Sequence, residues 1–242
     1  MDLGSLTLLS HMPHLYLLTT FYGIRPTTMI SCLTIDILTT WLPFRLLREL
    51  SPTHITNAPK GLVSNRSVIN DLSVQVYTTL LAAGIYGVVV FGSFGTWLPV
   101  YLVTHFDGLP DISAAHSAAL PFLIMSFIPI GYAAKEFLFT AATGARADAY
   151  DKELARFNPA TATLGETIIH NIFGYSKRTR TLIKRTATVA ITGGLHTWLQ
   201  TYVAIEGVEG FGAAGWSVTW AIAAVLTGAA FWWVADVEGI SN

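Results

Sequence analysis

The sequence predicts an all-α integral membrane protein: a bundle of six transmembrane helices, with an amphipathic helix on its inner face before the fifth. Three observations lead there. Hydrophobic residues make up 52% of the 242 residues and charged residues 12%, with a mean hydropathy of +0.51; that is about half the charge of an ordinary soluble domain. The apolar residues come in blocks that approach the roughly 20 residues a helix needs to cross a bilayer. Lysine and arginine gather in two of the segments between those blocks, as the positive-inside rule requires of cytoplasmic loops.

The first expected span, about 4–23, is the least apolar, because His11, Pro13 and His14 interrupt it. If it is re-entrant or interfacial, five spans result. The second, about 28–47, is long enough but carries Asp36. The third, about 76–99, and the fourth, about 117–139, are strongly apolar, the latter with a Pro129 that permits a kink. The fifth, about 187–205, contains Gly193-Gly194, and the sixth runs from about 212 to 234. All belong to one membrane domain covering residues 1–242.

Thirteen of the fourteen basic residues fall in the inner loops, about 48–75 and 140–186, or beside them; Arg25 alone lies opposite. Both termini and both basic loops are therefore expected in the cytoplasm or its organellar equivalent. Asp107, Asp111, Glu206 and Glu209 mark the other face. Over Thr163–Tyr175, Leu164, Ile168, Ile172 and Tyr175 recur at helical spacing, which predicts the inner amphipathic helix. Lys177, Arg178, Arg180, Lys184 and Arg185 follow directly. Such a cluster attracts anionic lipid by about 1 kcal/mol per charge, although a plain topology signal explains it as well.

The motif Thr-Trp-Leu occurs at 40–42, 96–98 and 197–199. The topology puts the first copy at an inner helix end and the other two near outer ends. Segments 96–115 and 197–214 run on in parallel through Tyr101 and Tyr202, then Asp-Gly and Glu-Gly, then Ala-Ala. They fit a duplicated hairpin or convergent interfacial aromatics equally well.

Asp36 is the sharpest single residue, since an ionised carboxylate in mid-bilayer costs roughly 2.5–3.5 kcal/mol on insertion scales and needs a partner. It suits a proton or cation site; the plainer reading is a neutral acid bonded to a neighbouring helix, or one in a wet cavity. His196 and Gln200 share a helix face and, with His11 and His14, would line a polar path or simply bond between helices. Small residues four apart, Ala83 with Gly87 and Ala213 with Ser217 and Ala221, allow close helix packing or helix-mediated homo- or hetero-oligomers. His105, Asp107, Asp111 and His116 match no metal spacing, and the Lys135-Glu136 pair ends span four where lysine can snorkel to the interface.

No nucleotide loop, GxSxG, HExxH or CxxC pair is present, and Cys32 is the single cysteine. No cofactor, metal or nucleic-acid partner is expected; membrane lipid is. The expected function is non-enzymatic, a transporter- or channel-like unit or a subunit of a membrane complex. The alternative is a small membrane enzyme acting on a lipid or terpenoid, with Asp36, Asp236 or Glu136 as its acid.

Overall fold

In a computed structural model, which describes residues 2–48, 53 and 63–237, the chain is all helical, with 81% helix and no strand among the described residues. Helix α1 (Asp2–Phe21) turns through Gly23 into α2 (Pro26–Leu47), where proline occupies the first turn, whose N–H groups need no helical partner. The short α3 (Arg66–Asn70) leads to α4 (Leu72–Gly95), started by Asp71, whose carboxylate accepts the N–H groups of Ser73 and Val74. That cap moves the third expected span four residues toward the N-terminus. Beyond Thr96 the chain restarts as α5 (Leu98–His105), again with proline in its first turn.

The fourth expected span is broken. After α6 (Ser113–Ser117), α7 (Leu120–Ser126) and α8 (Ile128–Thr143) meet at 53°. Pro129 has no N–H to give to a carbonyl of α7, so the helix cannot run straight through Phe127. Within α8, residues Lys135–Thr140 form a π turn. Capping boxes start both α9 (Ala149–Leu154; Asp148 with Asp151) and α10 (Leu164–Phe173; Thr163 with Glu166). The basic cluster is helical rather than a loop, and forms the first turns of the helix that continues into the fifth expected span. Helix α11 runs from Lys177 through a second π turn, Val189–Gly193, to Ala204, because lysine and arginine are good helix formers and nothing separates them from the apolar run. Helix α12 (Gly210–Val237) closes the bundle.

Among the described residues, three helices, α2, α4 and α12 (through Ala235), are long and apolar enough to cross a membrane, or four if the bent α7–α8 pair is one span. Helix α1 falls short by composition, yet it is the central one. Its Leu17 and Phe21 are 0% and 1% exposed, and it packs on α2, α8, α11 and the π turn of α8. Among the long helices α2 is the most peripheral, since none of its residues is buried. At the centre, Tyr16 and Phe21 of α1 interlock with Phe94, Phe127, Trp216 and Trp220 at ring separations of 5.2–6.4 Å.

The small residues are used within this bundle. A Cβ at Gly131 of α8 would overlap the Thr79 carbonyl and crowd Ala83, so α4 and α8 touch backbone to backbone. Gly87 abuts Ile124, Ala213 is fully buried, Ser217 is 7% exposed, and Ala221 meets Gly194. At the acidic end the second and third Thr-Trp-Leu copies run into turns that hydrogen-bond to each other. Asp107 N–H donates to the Gly207 carbonyl (2.8 Å), Glu209 N–H to that of His105 (3.0 Å), and Phe106 bridges Val208. Gly108 and Gly207, equivalent in the two copies, both take the left-handed conformation (φ 70° and 81°), and a Cβ on Gly207 would press on Asp107.

Overpacking the α4–α8 contact should cost about 1–3 kcal/mol. Gly131→Val is therefore expected to lower the thermal unfolding midpoint of the detergent-solubilised protein. Gly84→Ala, on a face of α4 with nothing within 4 Å, should leave it within error.

Candidate functional site: an interhelical histidine–aspartate cluster

Helix α1 meets three neighbours through polar groups, because a helix enclosed by protein can carry residues that lipid would reject. Its seam with α2 is a ladder. A Cβ on Gly4 would touch Trp41 at 3.5 Å, the hydroxyls of Thr7 and Thr40 lie 3.0 Å apart, and His11 Nδ1 is 2.9 Å from Asp36 Oδ2. Two α2 turns thus place Asp36 and Thr40 opposite His11 and Thr7. Each threonine also returns a hydrogen bond to the carbonyl four residues before it, Thr7 to Leu3 and Thr40 to Asp36.

On the α11 side, the His196 ring stacks on His11 with centroids 4.1 Å apart and planes 28° apart, and its Nδ1 is 3.0 Å from the Ser10 carbonyl oxygen. A carbonyl only accepts, so His196 carries its proton on Nδ1 and presents Nε2 as a lone pair. An ionised Asp36 imposes the same tautomer on His11. On the α12 side, the Trp216 indole N–H donates to the Pro13 carbonyl (3.0 Å). His14 is 8% exposed, and its Nδ1 has no hydrogen-bond partner among the described residues.

The structure therefore brings together Asp36, His11, His14 and His196. Gln200 is exposed, one turn beyond His196. Chemically, the Asp36–His11 pair can share one proton across 2.9 Å. No group of three or more His, Cys, Asp or Glu side chains among the described residues is placed to hold a metal.

The acids of the enzyme reading do not join this cluster. Glu136 pairs with Lys135 in the π turn of α8, and Asp236 is a residue whose side chain lies outside the described set. Lys135 does not snorkel: it is 2% exposed, with its ammonium on Glu136 and over the Tyr132 ring at 4.5 Å. The π turn rotates it inward by widening the helix, and no sequence signal announces that turn. Of the lipid-surface bases, Arg178 is 7% exposed and donates to Thr143 (3.2 Å), and Arg180 grips Asp148 (3.0 Å) and Asp151 (3.3 Å). Lys177 stands 3.6 Å from Asp148, and Lys184 is exposed. Arg185 bonds Asp2 (2.7 Å) and the Phe137 carbonyl (2.9 Å). That second bond meets a carbonyl inside the π turn of α8 and ties α1, α8 and α11 together at the basic end.

Desolvation pushes the Asp148 carboxyl up, but the Asp151 N–H and the charges of Arg180 and Lys177 outweigh it and hold it below the ordinary aspartate value of 3.8. At the acidic end, hydrogen bonds from Ser113 hold Asp111 below its ordinary value.

Residues 71–234, more than half of the chain, match the family model described as the Bouquet formation protein 3 C-terminal domain. Neither curated proteins nor solved structures give a match.

A double-mutant cycle of His11→Ala and Asp36→Ala should show a coupling of about 0.6–1.7 kcal/mol, the range of interhelical hydrogen bonds in membranes, in unfolding of the bilayer-reconstituted protein. A coupling of zero would dissolve the pair. Asp148 is depressed in the fold, so it stabilises above the unfolded-state value and ceases to as pH falls through its lower folded one. Proteolytic protection of residues 148–180 should decline as pH is taken below 3.8, and Arg180→Gln should move that decline toward higher pH.

Proposed function

We propose, from the premise that this chain belongs to the Bouquet formation protein 3 C-terminal domain family, that it is a multi-pass membrane subunit whose bundle packs within an assembly serving bouquet formation. The family supports a membrane-associated role. The observation that carries the subunit reading over transport is the filled centre. Tyr16, Phe127, Trp216 and Trp220 close on one another within 6.4 Å where a polar path beyond His14 would run. The cluster's polar groups face one another across helix seams rather than a lined passage, the arrangement of interhelical glue.

In this reading six helices cross. Helix α1 joins Arg185 at the basic end through Asp2 and Phe94 toward the acidic end through Phe21, so it runs the height of the bundle. Its modest hydropathy is that of a helix shielded from lipid by its neighbours. The basic end faces the cytoplasm or its equivalent. Helix α10 lies along that surface, since Leu164, Ile168, Ile169, Ile172 and Phe173 are 48–78% exposed on a helix that leads directly into α11. Catalysis on a lipid has less support, because Asp36 and Glu136 lie on different helices and each is already engaged by a basic side chain.

Glycosylation mapping tests the orientation. The Asn65-Arg66-Ser67 sequon should stay unmodified while a control sequon placed in the 206–210 turn is modified; the reverse pattern inverts the protein. For the subunit reading, Asp36→Asn should leave bouquet formation intact in cells, whereas Trp216→Ala should reduce the protein's steady-state level several-fold. A pH-gradient-dependent flux in proteoliposomes, abolished by Asp36→Asn, would establish transport instead.

A further inference from the structure

Helix α2 meets the bundle along one side, where Ile37 and Trp41 face Gly4 and Thr40 faces Thr7, and none of its residues is buried. Lipid can cover most of what remains. Ser31, Thr34 and Thr39 turn their hydroxyls onto carbonyls of their own helix (2.9, 2.7 and 2.9 Å), which satisfies those donors in an apolar surround. Asp36 has no such recourse, because an ionised carboxylate only accepts. It stands halfway along α2 with its side chain 37% exposed. His11 meets Oδ2, and no donor reaches Oδ1 among the described residues. Acids inside a spanning segment face protein partners rather than lipid, so α2 needs a cover that brings a donor.

The residues beside Asp36 say what that cover is. Thr28, Cys32, Ile35, Thr39 and Leu42, all exposed, recur at alternating spacings of four and three, on the side of α2 away from Ile37 and Trp41. This is the seam pattern of two parallel helices in a left-handed pair. With Cys32 and Thr39 at a positions and Ile35 and Leu42 at d, Asp36 takes an e position, and Ser31 takes the g position that lies against it on the other helix. Ser31 is exposed, and its hydroxyl can turn from the Thr27 carbonyl to a carboxylate. Acceptor and donor belong to the same helix, so a two-fold axis forms the bond twice. We propose that α2 packs in parallel against α2 of a second copy of this chain, with Asp36 of each copy accepting from Ser31 of the other. The inference rests on the reading of α2 as a spanning helix of an assembly.

The test uses the full chain reconstituted in phosphatidylcholine vesicles, where Cys32, the single cysteine, sits on the seam. Oxidation with copper–phenanthroline should give a disulfide-linked dimer. In a Cys32→Ser background Ile35→Cys should link, while Thr34→Cys, at the same depth on another face, should link about fivefold less, because a disulfide tolerates little separation. At a lipid dilution where part of the native chain is linked, Ser31→Ala should lower the linked fraction about two- to threefold, the weight of one interhelical hydrogen bond. Asp36→Asn should hold it, since an amide oxygen still accepts. Equal linking at positions 34 and 35, no linking at either, or a Ser31→Ala fraction within error of the native one overturns the proposal. A membrane-impermeant maleimide applied to both faces of the membrane separates the two readings. Modification of Cys32 overturns the spanning helix and the dimer together, whereas a Cys32 neither modified nor linked overturns the dimer alone.

Discussion

The bundle depends on how α1 is enclosed. In an apolar surround each polar group left unmet costs several kcal/mol, and α1 brings Thr7, Ser10, His11 and His14 into the middle of the molecule. The neighbours answer most of them: Thr40 and Asp36 from α2, and His196 from α11, which takes the Ser10 carbonyl. Trp216 of α12 adds a bond to the Pro13 carbonyl, next to the aromatic core. The position of α1 thus sets the register of three other helices. It also explains why a helix of moderate hydropathy sits inside while the more apolar α2 is left outside. Hydropathy ranks a helix for lipid contact, and the helix with polar work to do is the one lipid should not touch.

Interruptions in the helices follow the same accounting of backbone groups. Pro129 ends α7 and turns the chain by 53°. The π turn of α8 leaves room for Arg185 to reach the Phe137 carbonyl, and the same guanidinium holds Asp2. One side chain therefore serves a widened helix, a helix start and the beginning of α11. At the opposite end the job falls to backbone, with the two glycine turns hydrogen-bonded to each other. The bundle is fastened by charged side chains where the chain is basic, and at the other end by main-chain bonds with the His105–Glu209 side-chain contact (2.7 Å) beside them.

The histidine–aspartate cluster follows from these seams. Its members pair because α1 is shared by α2 and α11, which places a carboxylate and two imidazoles around one helical turn. The same packing leaves the Asp36 and His11 side chains part exposed, 37% and 30%, at the α1–α2 seam. Such a site suits holding helices in register, in keeping with the membrane-associated role that the family supports.

Composition and block hydropathy by themselves determined that the chain is helical and apolar enough for a membrane, because burial of a helix in lipid needs only a long run of apolar residues. They also singled out Asp36, His11, His14 and His196, since ionisable residues in such runs stand out against their neighbours, and the helical spacing of Leu164, Ile168, Ile172 and Tyr175 placed α10. Only the tertiary structure decided that α1 is central, that α11 begins at Lys177, that Arg178 and Lys135 are buried, and that Gln200 stands apart from the cluster. Several of those depend on a partner far away in sequence: Asp2 for Arg185, Thr143 for Arg178, Ser10 for His196. A one-dimensional pattern gives the affinity of a residue for lipid or water. Which protein group it meets instead is settled by helix crossings such as Gly131 against Thr79, and these are set by shape.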